Sequence, residues 1–155
     1  MIDVEPSSPE ELDRIDALIE DWLAVQAADN PSVDAVERDT DSGERRWFVR
    51  VLGEEKSVYS VWLHLRQRTL HVETYVMPAP EENRARFFEH LLRRNIKLFG
   101  LTFAVGDEDA IFLTGQIPNA TVTSHELDRL LGTAYAVVEQ CFRPAMRIGF
   151  ASKFI

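Results

Sequence analysis

The segment RWFVRVLGEEKSVYSVWLHLRQRTLHVETYVM, running from Arg46 to Met77, decides the fold. Its aromatic and β-branched residues fall into three runs, Arg46–Leu52, Ser57–Leu65 and Thr69–Met77, separated by short turns rich in Gly, Glu or Arg. Runs of that composition and length, so closely spaced, predict a three-stranded antiparallel meander. A tight turn at Gln67-Arg68 sets Leu65 opposite Leu70 and His64 opposite His71. Side chains alternate between faces along a strand. Tyr59, Val61, Leu63, Leu65, Leu70, Val72 and Val76 then share the face that helices cover. The opposite face carries Val58, Trp62, His64, His71, Tyr75 and Met77, with Phe48 and Leu52 from the first strand. A solvent-facing side normally alternates to polar residues, so this one calls for a cover. Either the third helix or the C-terminal tail supplies it within the monomer, or a partner does.

Working outward, Ser8-Pro9-Glu10-Glu11 has the form of a capping box with proline at the first helical position. Leu12, Ile15, Leu18, Ile19, Trp22 and Leu23 continue at helical spacing until Asn30-Pro31. Residues 31–45 hold few apolar side chains among acidic and turn residues and read as a mobile loop; residues 1–7 read as a flexible N-terminus. Beyond Pro78 and Pro80, a second helix is expected over Glu81–Phe99. Phe87, Phe88, Leu91, Leu92, Ile96 and Phe99 would face inward, with Gly100 as its stop. Strands at Leu101–Val105 and Ala110–Ile117 follow. A third helix is capped by Thr123 with Glu126, and Pro144 should kink it or end its regular part. The order α-β-β-β-α-β-β-α defines an α+β fold, one antiparallel sheet with helices, and the 155 residues make a single domain.

Composition excludes several functions. A net charge of −9 disfavours nucleic acid and anionic membrane surfaces, both of which need a cationic face. No run of about 18 apolar residues and no signal-like leader is present, so a cytoplasmic location is expected. The lone Cys141 falls in an apolar helical pattern and reads as a buried thiol. No cofactor is expected: the scattered glycines form neither a phosphate loop nor a dinucleotide fingerprint. Asp39-Thr40-Asp41-Ser42-Gly43-Glu44 resembles the start of a calcium loop but lacks its third acidic position and closing glutamate.

One grouping could carry chemistry. His64 and His71 opposite one another, with Glu73 on the same face, could hold zinc. The plainer reading is a polar cross-strand pair. Arg86, His90, Arg93 and Lys97 recur at helical spacing as a basic stripe suited to an acidic partner segment or second subunit. His125 lies in the first turn of the third helix.

The element order resembles the YbjN family, whose members share the fold of type III secretion chaperones. The likeness is carried by Trp47-Phe48-Val49-Arg50, by the helix from Arg84-Ala85-Arg86-Phe87 through Asn95, and by the final helix through Phe142-Arg143-Pro144-Ala145. The resemblance implies a bacterial regulatory or chaperone-like protein with no catalytic residues, acting as a homodimer that binds another protein or a peptide segment. Phe48, Trp62, Tyr75, Arg86, His90 and Arg93 are the candidate contact residues. The alternative is a small metal-dependent enzyme built on His64, His71 and Glu73.

Overall fold

In the computed structural model, which describes residues 4–154, six strands form one antiparallel sheet. They are β1 (Val33–Asp39), β2 (Arg45–Leu52), β3 (Val58–Leu65), β4 (Thr69–Met77), β5 (Thr102–Val105) and β6 (Ile111–Pro118), in the spatial order β1-β2-β3-β4-β6-β5. The five expected strands are present to within a residue at each end. The register is also as read: Leu65 pairs with Leu70 and His64 with His71.

β1 corrects the mobile loop expected at 31–45. Val33–Asp39 pairs antiparallel with β2, and a bulge lies between Val33 and Ala35. The bulge breaks the period-two alternation that would have revealed the strand. Four charged residues in seven are also what an edge strand carries to discourage further pairing. The sequence resembling a calcium loop is the hairpin turn between β1 and β2. Asp41 N donates to Asp39 Oδ1 (3.0 Å), Glu44 N donates to Ser42 Oγ (3.2 Å), and Gly43 takes a φ of +72°.

One face of the sheet is covered by α1 (Pro9–Asp29) and α3 (Ser124–Gly149). Trp47, Val49, Val61, Leu63, Leu70, Val72, Ile111 and Leu113 are buried there against Ile15 and Ile19 of α1 and the Leu127–Cys141 stripe of α3. Trp22 Nε1 donates to Asp128 Oδ1 (2.8 Å) and ties the two helices together. Ser8 and Thr123 cap them, each hydroxyl accepting from a backbone N–H three residues on (3.1 Å in both). α1 is fixed to the sheet edge through Asp16. This carboxylate accepts from Arg38 (2.8 and 2.9 Å) and Arg45 (2.7 Å), and the guanidinium groups hold it below the usual carboxylate range.

Three expectations for the helices are revised. Pro144 does not end α3, which continues to Gly149, where Cys141, Ala145 and Gly149 keep its buried stripe in register and the N–H groups of Glu81 and Glu82 donate to the Gly149 carbonyl. The second helix, α2, is shorter than expected, spanning Arg84–Asn95. Asn95 ends it by exchanging side-chain hydrogen bonds with Phe103 N (2.7 Å) and O (3.2 Å), which pins the following strand against the helix. Gly100, with a φ of +84°, then reverses the chain. Only Phe87 and Leu91 of α2 are buried, so Leu92, Ile96 and Phe99 do not face inward as expected. Of the N-terminus expected to be flexible, residues 1–3 lie outside the described residues. Ser7 is held by a bond from its N–H to Gln67 O (2.7 Å) and by one from Asn119 Nδ2 to its hydroxyl (3.0 Å).

Candidate interaction surfaces

With α1 and α3 both on the inner side, none of the helices covers the outer sheet face, and that leaves a trough of about 850 Å³. The register builds it in rows that cross the strands. Phe48 on β2 stands opposite Trp62 on β3, and Trp62 stands opposite Glu73 on β4. The Phe48 and Trp62 rings pack at 5.0 Å. Further along, Tyr75 meets the edge of Phe112 at 5.7 Å. Phe48 and Trp62 are half-buried and Tyr75 is 44% exposed. Met77 departs from the expected outer set: a bulge between Tyr75 and Met77 in the pairing with β6 turns it into the core.

The next row is polar and basic. Arg46, His64, His71 and Gln116 stand side by side on β2, β3, β4 and β6. Arg46 lays its guanidinium over Trp62, 4.9 Å from the ring centroid, and reaches Asp39 at 3.5 Å. Its Nε is buried without a partner. Arg66, in the β3–β4 turn, donates through Nε to His64 Nδ1 (3.3 Å) and places Nη1 3.5 Å from His71 Nε2. His64 Nε2 faces Glu44 at 3.3 Å.

These contacts bear on the zinc alternative. The nitrogen atoms that would ligate a metal face a guanidinium, and Glu73 stands across from Trp62 instead of closing a set. Among the described residues, no group of three such side chains could hold a metal ion.

At the other end of the trough Lys56 Nζ donates to Tyr75 O (3.3 Å) and Val76 O (2.6 Å) and lies over the Tyr75 and Phe142 rings. Burial pulls this ammonium down to about 8. Sequence reasoning named Phe48, Trp62 and Tyr75 but missed Arg46, Lys56, Arg66 and Phe112. Arg46 was legible, since it lies two residues from Phe48 on one strand. Lys56 and Phe112 enter from a turn and from a distant strand, and no local pattern announces them.

Burial lowers the pKa of both His64 and His71, and the Arg66 charge adds to the effect. The unfolded chain therefore takes up protons first, below about 6.5, and the contribution of these groups to stability falls as pH drops through that window. The double substitution His64→Gln with His71→Gln is expected to flatten the pH dependence of the denaturant midpoint between 7 and 5. An unchanged slope would mean that neither imidazole is perturbed.

The second surface lies on α2. Successive residues turn by about 100°, so the buried Phe87 and Leu91 separate two flanks. One flank holds Arg86, His90 and Arg93. Arg93 pairs with Glu89 (3.0 Å), and His90 is half-buried with its Nε2 unpartnered. Burial lowers the His90 pKa, assisted by Arg94 and Arg86. The other flank holds Leu92, 66% exposed, and just beyond the helix Ile96 and Phe99 are exposed by 85% and 74%, the Phe99 ring lying 4.8 Å from the Arg129 guanidinium of α3. Beside Leu92 a groove of about 260 Å³ is lined by Phe88, Leu91, Phe103, Val105 and Ile111. Three large exposed apolar side chains between residues 92 and 99 make this a candidate contact surface.

The same architecture occurs in solved structures of type III secretion chaperone complexes. A chain of the ExsC–ExsE complex superposes with a TM-score of 0.59 at 20% identity, covering 82% of this chain and 92% of that one. The HopA1–SchA chaperone–effector complex gives 0.58 at 10% identity, with coverage of 90% and 99%. The Yersinia pestis chaperone SycH in complex with a fragment of YscM2 gives 0.51 at 14%, with coverage of 80% and 96%. At these identities the likeness defines the fold, which is that of the type III secretion chaperones.

Residues 16–145 match the model of the YbjN family, described as "putative bacterial sensory transduction regulator", and the chain belongs to that family. Two mycobacterial relatives are similar over about two thirds of the chain. Uncharacterized protein Rv0487 of Mycobacterium tuberculosis is 34% identical over 105 residues, 68% of this chain and 57% of its own length. Uncharacterized protein ML2442 of Mycobacterium leprae is 32% identical over 110 residues, 71% and 60% respectively. The matched part of the chain thus spans under two thirds of these relatives. No helix among the described residues is long and apolar enough to cross a membrane.

Proposed function

We propose that this chain is a non-enzymatic protein-interaction module with a regulatory or chaperone-like role, which holds a segment of another protein against the outer face of its sheet. The observation that carries this reading is the trough itself: an aromatic floor of Trp62, Tyr75 and Phe112, with Phe48 packed against Trp62, that none of the three α-helices covers. Membership of the YbjN family and a fold shared with proteins solved in chaperone–effector complexes support it. The homodimer belongs to the same proposal. Its natural contact is the exposed flank of α2 with the β5 edge, which leaves the trough open for a partner.

Trp62 is the expected anchor, because tryptophan is enriched among the few positions that dominate an interface. Trp62→Ala is expected to weaken association with partners recovered by affinity capture at least tenfold, about 1.4 kcal/mol. Unfolding free energy should change by no more than about 1 kcal/mol, since the ring is half-buried and no covering element loses its packing. Equal capture by parent and variant, at equal folded concentration, would remove the trough as the binding surface.

A further inference from the structure

The trough sets two arginine guanidinium groups beside half-buried aromatic rings on a chain of net charge −9. Arg46, Lys56 and Arg66 line this cavity with the imidazoles of His64 and His71; the carboxylates lining it are Glu44 and Glu73, and Asp39 reaches Arg46 from β1 at 3.5 Å. Glu44 is already engaged by His64. The nitrogen-bearing side chains are arranged in order: Arg46 and the imidazoles of His64 and His71 form a single row, and the Arg66 guanidinium leans over it from the turn. Strands are about 4.8 Å apart, so this row extends about 10 Å across β2–β4. The aromatic row of Phe48 and Trp62 runs parallel to it one step along the strands. Arg46 belongs to both rows, stacked on Trp62 with a buried Nε that has no acceptor. A buried donor left without an acceptor is costly, and an incoming acceptor removes that cost.

We propose that the trough selects an acidic peptide segment, with carboxylates meeting the Arg46–Arg66 row and an aromatic or aliphatic side chain resting on Trp62 and Phe48. This rests on the use of the trough as a protein-binding surface and adds the chemistry of what is bound. Arginine suits the role because its planar guanidinium bonds carboxylates in pairs while its face stays stacked on a ring. Complementary charge also supplies discrimination, since basic segments would be repelled by the row.

The test is selection of a displayed random 12-residue peptide library on the full chain, followed by affinity measurement of the recovered peptides as synthetic molecules. Recovered sequences are expected to be enriched in Asp and Glu and to include at least one large apolar residue. Their Asn/Gln counterparts should bind at least tenfold more weakly. Arg66→Gln, at an exposed turn position, and Arg46→Gln/Arg66→Gln should each lose affinity by a similar or larger factor. Their thermal midpoints should match the parent, and affinity should fall as salt rises.

Peptides that are neutral or basic, or that bind the arginine variants as well as the parent, overturn the acidic preference. If those same peptides still lose binding on Trp62→Ala, the trough remains a protein-binding surface and only its chemistry is wrong. Peptides indifferent to Trp62→Ala, or a library that yields no binder, overturn both.

Discussion

Leu63→Ala is expected to lower the unfolding free energy by about 2–5 kcal/mol, the range for truncating a buried leucine. Leu63 sits in the middle of β3, between Trp47 on β2 and Val72 on β4, and only 3% of it is exposed. A cavity there is walled by three strands and the helices above, which cannot collapse into it without disturbing the sheet register. Phe87→Ala should cost about 3–5 kcal/mol, because its fully buried ring fills the contact between α2 and α3. Gly149 shows how close that contact is: a Cβ there would stand 2.8 Å from Phe87 Cδ2. The control is His64→Ala. It is the residue next to Leu63 in sequence but lies on the opposite face, and it should shift stability by less than about 1 kcal/mol. Denaturant titration reads all three. A neutral Leu63→Ala, or a His64→Ala as damaging as it, would exchange the two faces of the sheet.

That pair also marks what was legible in the sequence. The central meander is specified by period-two alternation, and a slip of one residue would have turned its buried side chains to solvent. Its strands, register and opposed histidines were therefore readable from residues 46–77. What escaped were places where a local irregularity or a tertiary contact overrides the period. The bulge in β1 disguised a strand as a loop. The bulge beside Met77 moved one side chain from the outer face to the core. Asn95, bonded to β5, ended α2 a turn early and left Ile96 and Phe99 exposed, although their helical spacing resembles that of buried residues. The aromatic half of the trough followed from alternation, whereas Lys56 and Phe112 depend on how distant segments meet.

The exposed flank of α2 leads to the second large effect. A double substitution, Ile96→Asp with Phe99→Asp, is expected to weaken self-association at least about 100-fold, some 2.7 kcal/mol. A twofold contact uses the same patch on both subunits, so that patch must hold both projections and a recess. This one does: Leu92 projects at the groove formed by Phe88, Leu91, Phe103 and Val105, and Ile96 and Phe99 are exposed just beyond the end of the helix. The basic residues Arg86 and Arg93 lie on the other flank of the helix, so like charges need not meet across the axis. β5 is a four-residue edge strand whose outer side has no neighbour in the sheet, which extends the patch with unpaired backbone groups. Because Ile96 and Phe99 are already in solvent in the monomer, aspartate at those positions should leave the thermal midpoint of the separated subunit unchanged. Light scattering at micromolar concentration should report about twice 17.7 kDa for the parent and 17.7 kDa for the variant. A parent that scatters as a monomer would refute the dimer. A variant that still scatters as a dimer would move the contact away from α2, and a loss of dimer on Trp62→Ala would then assign it to the outer face of the sheet.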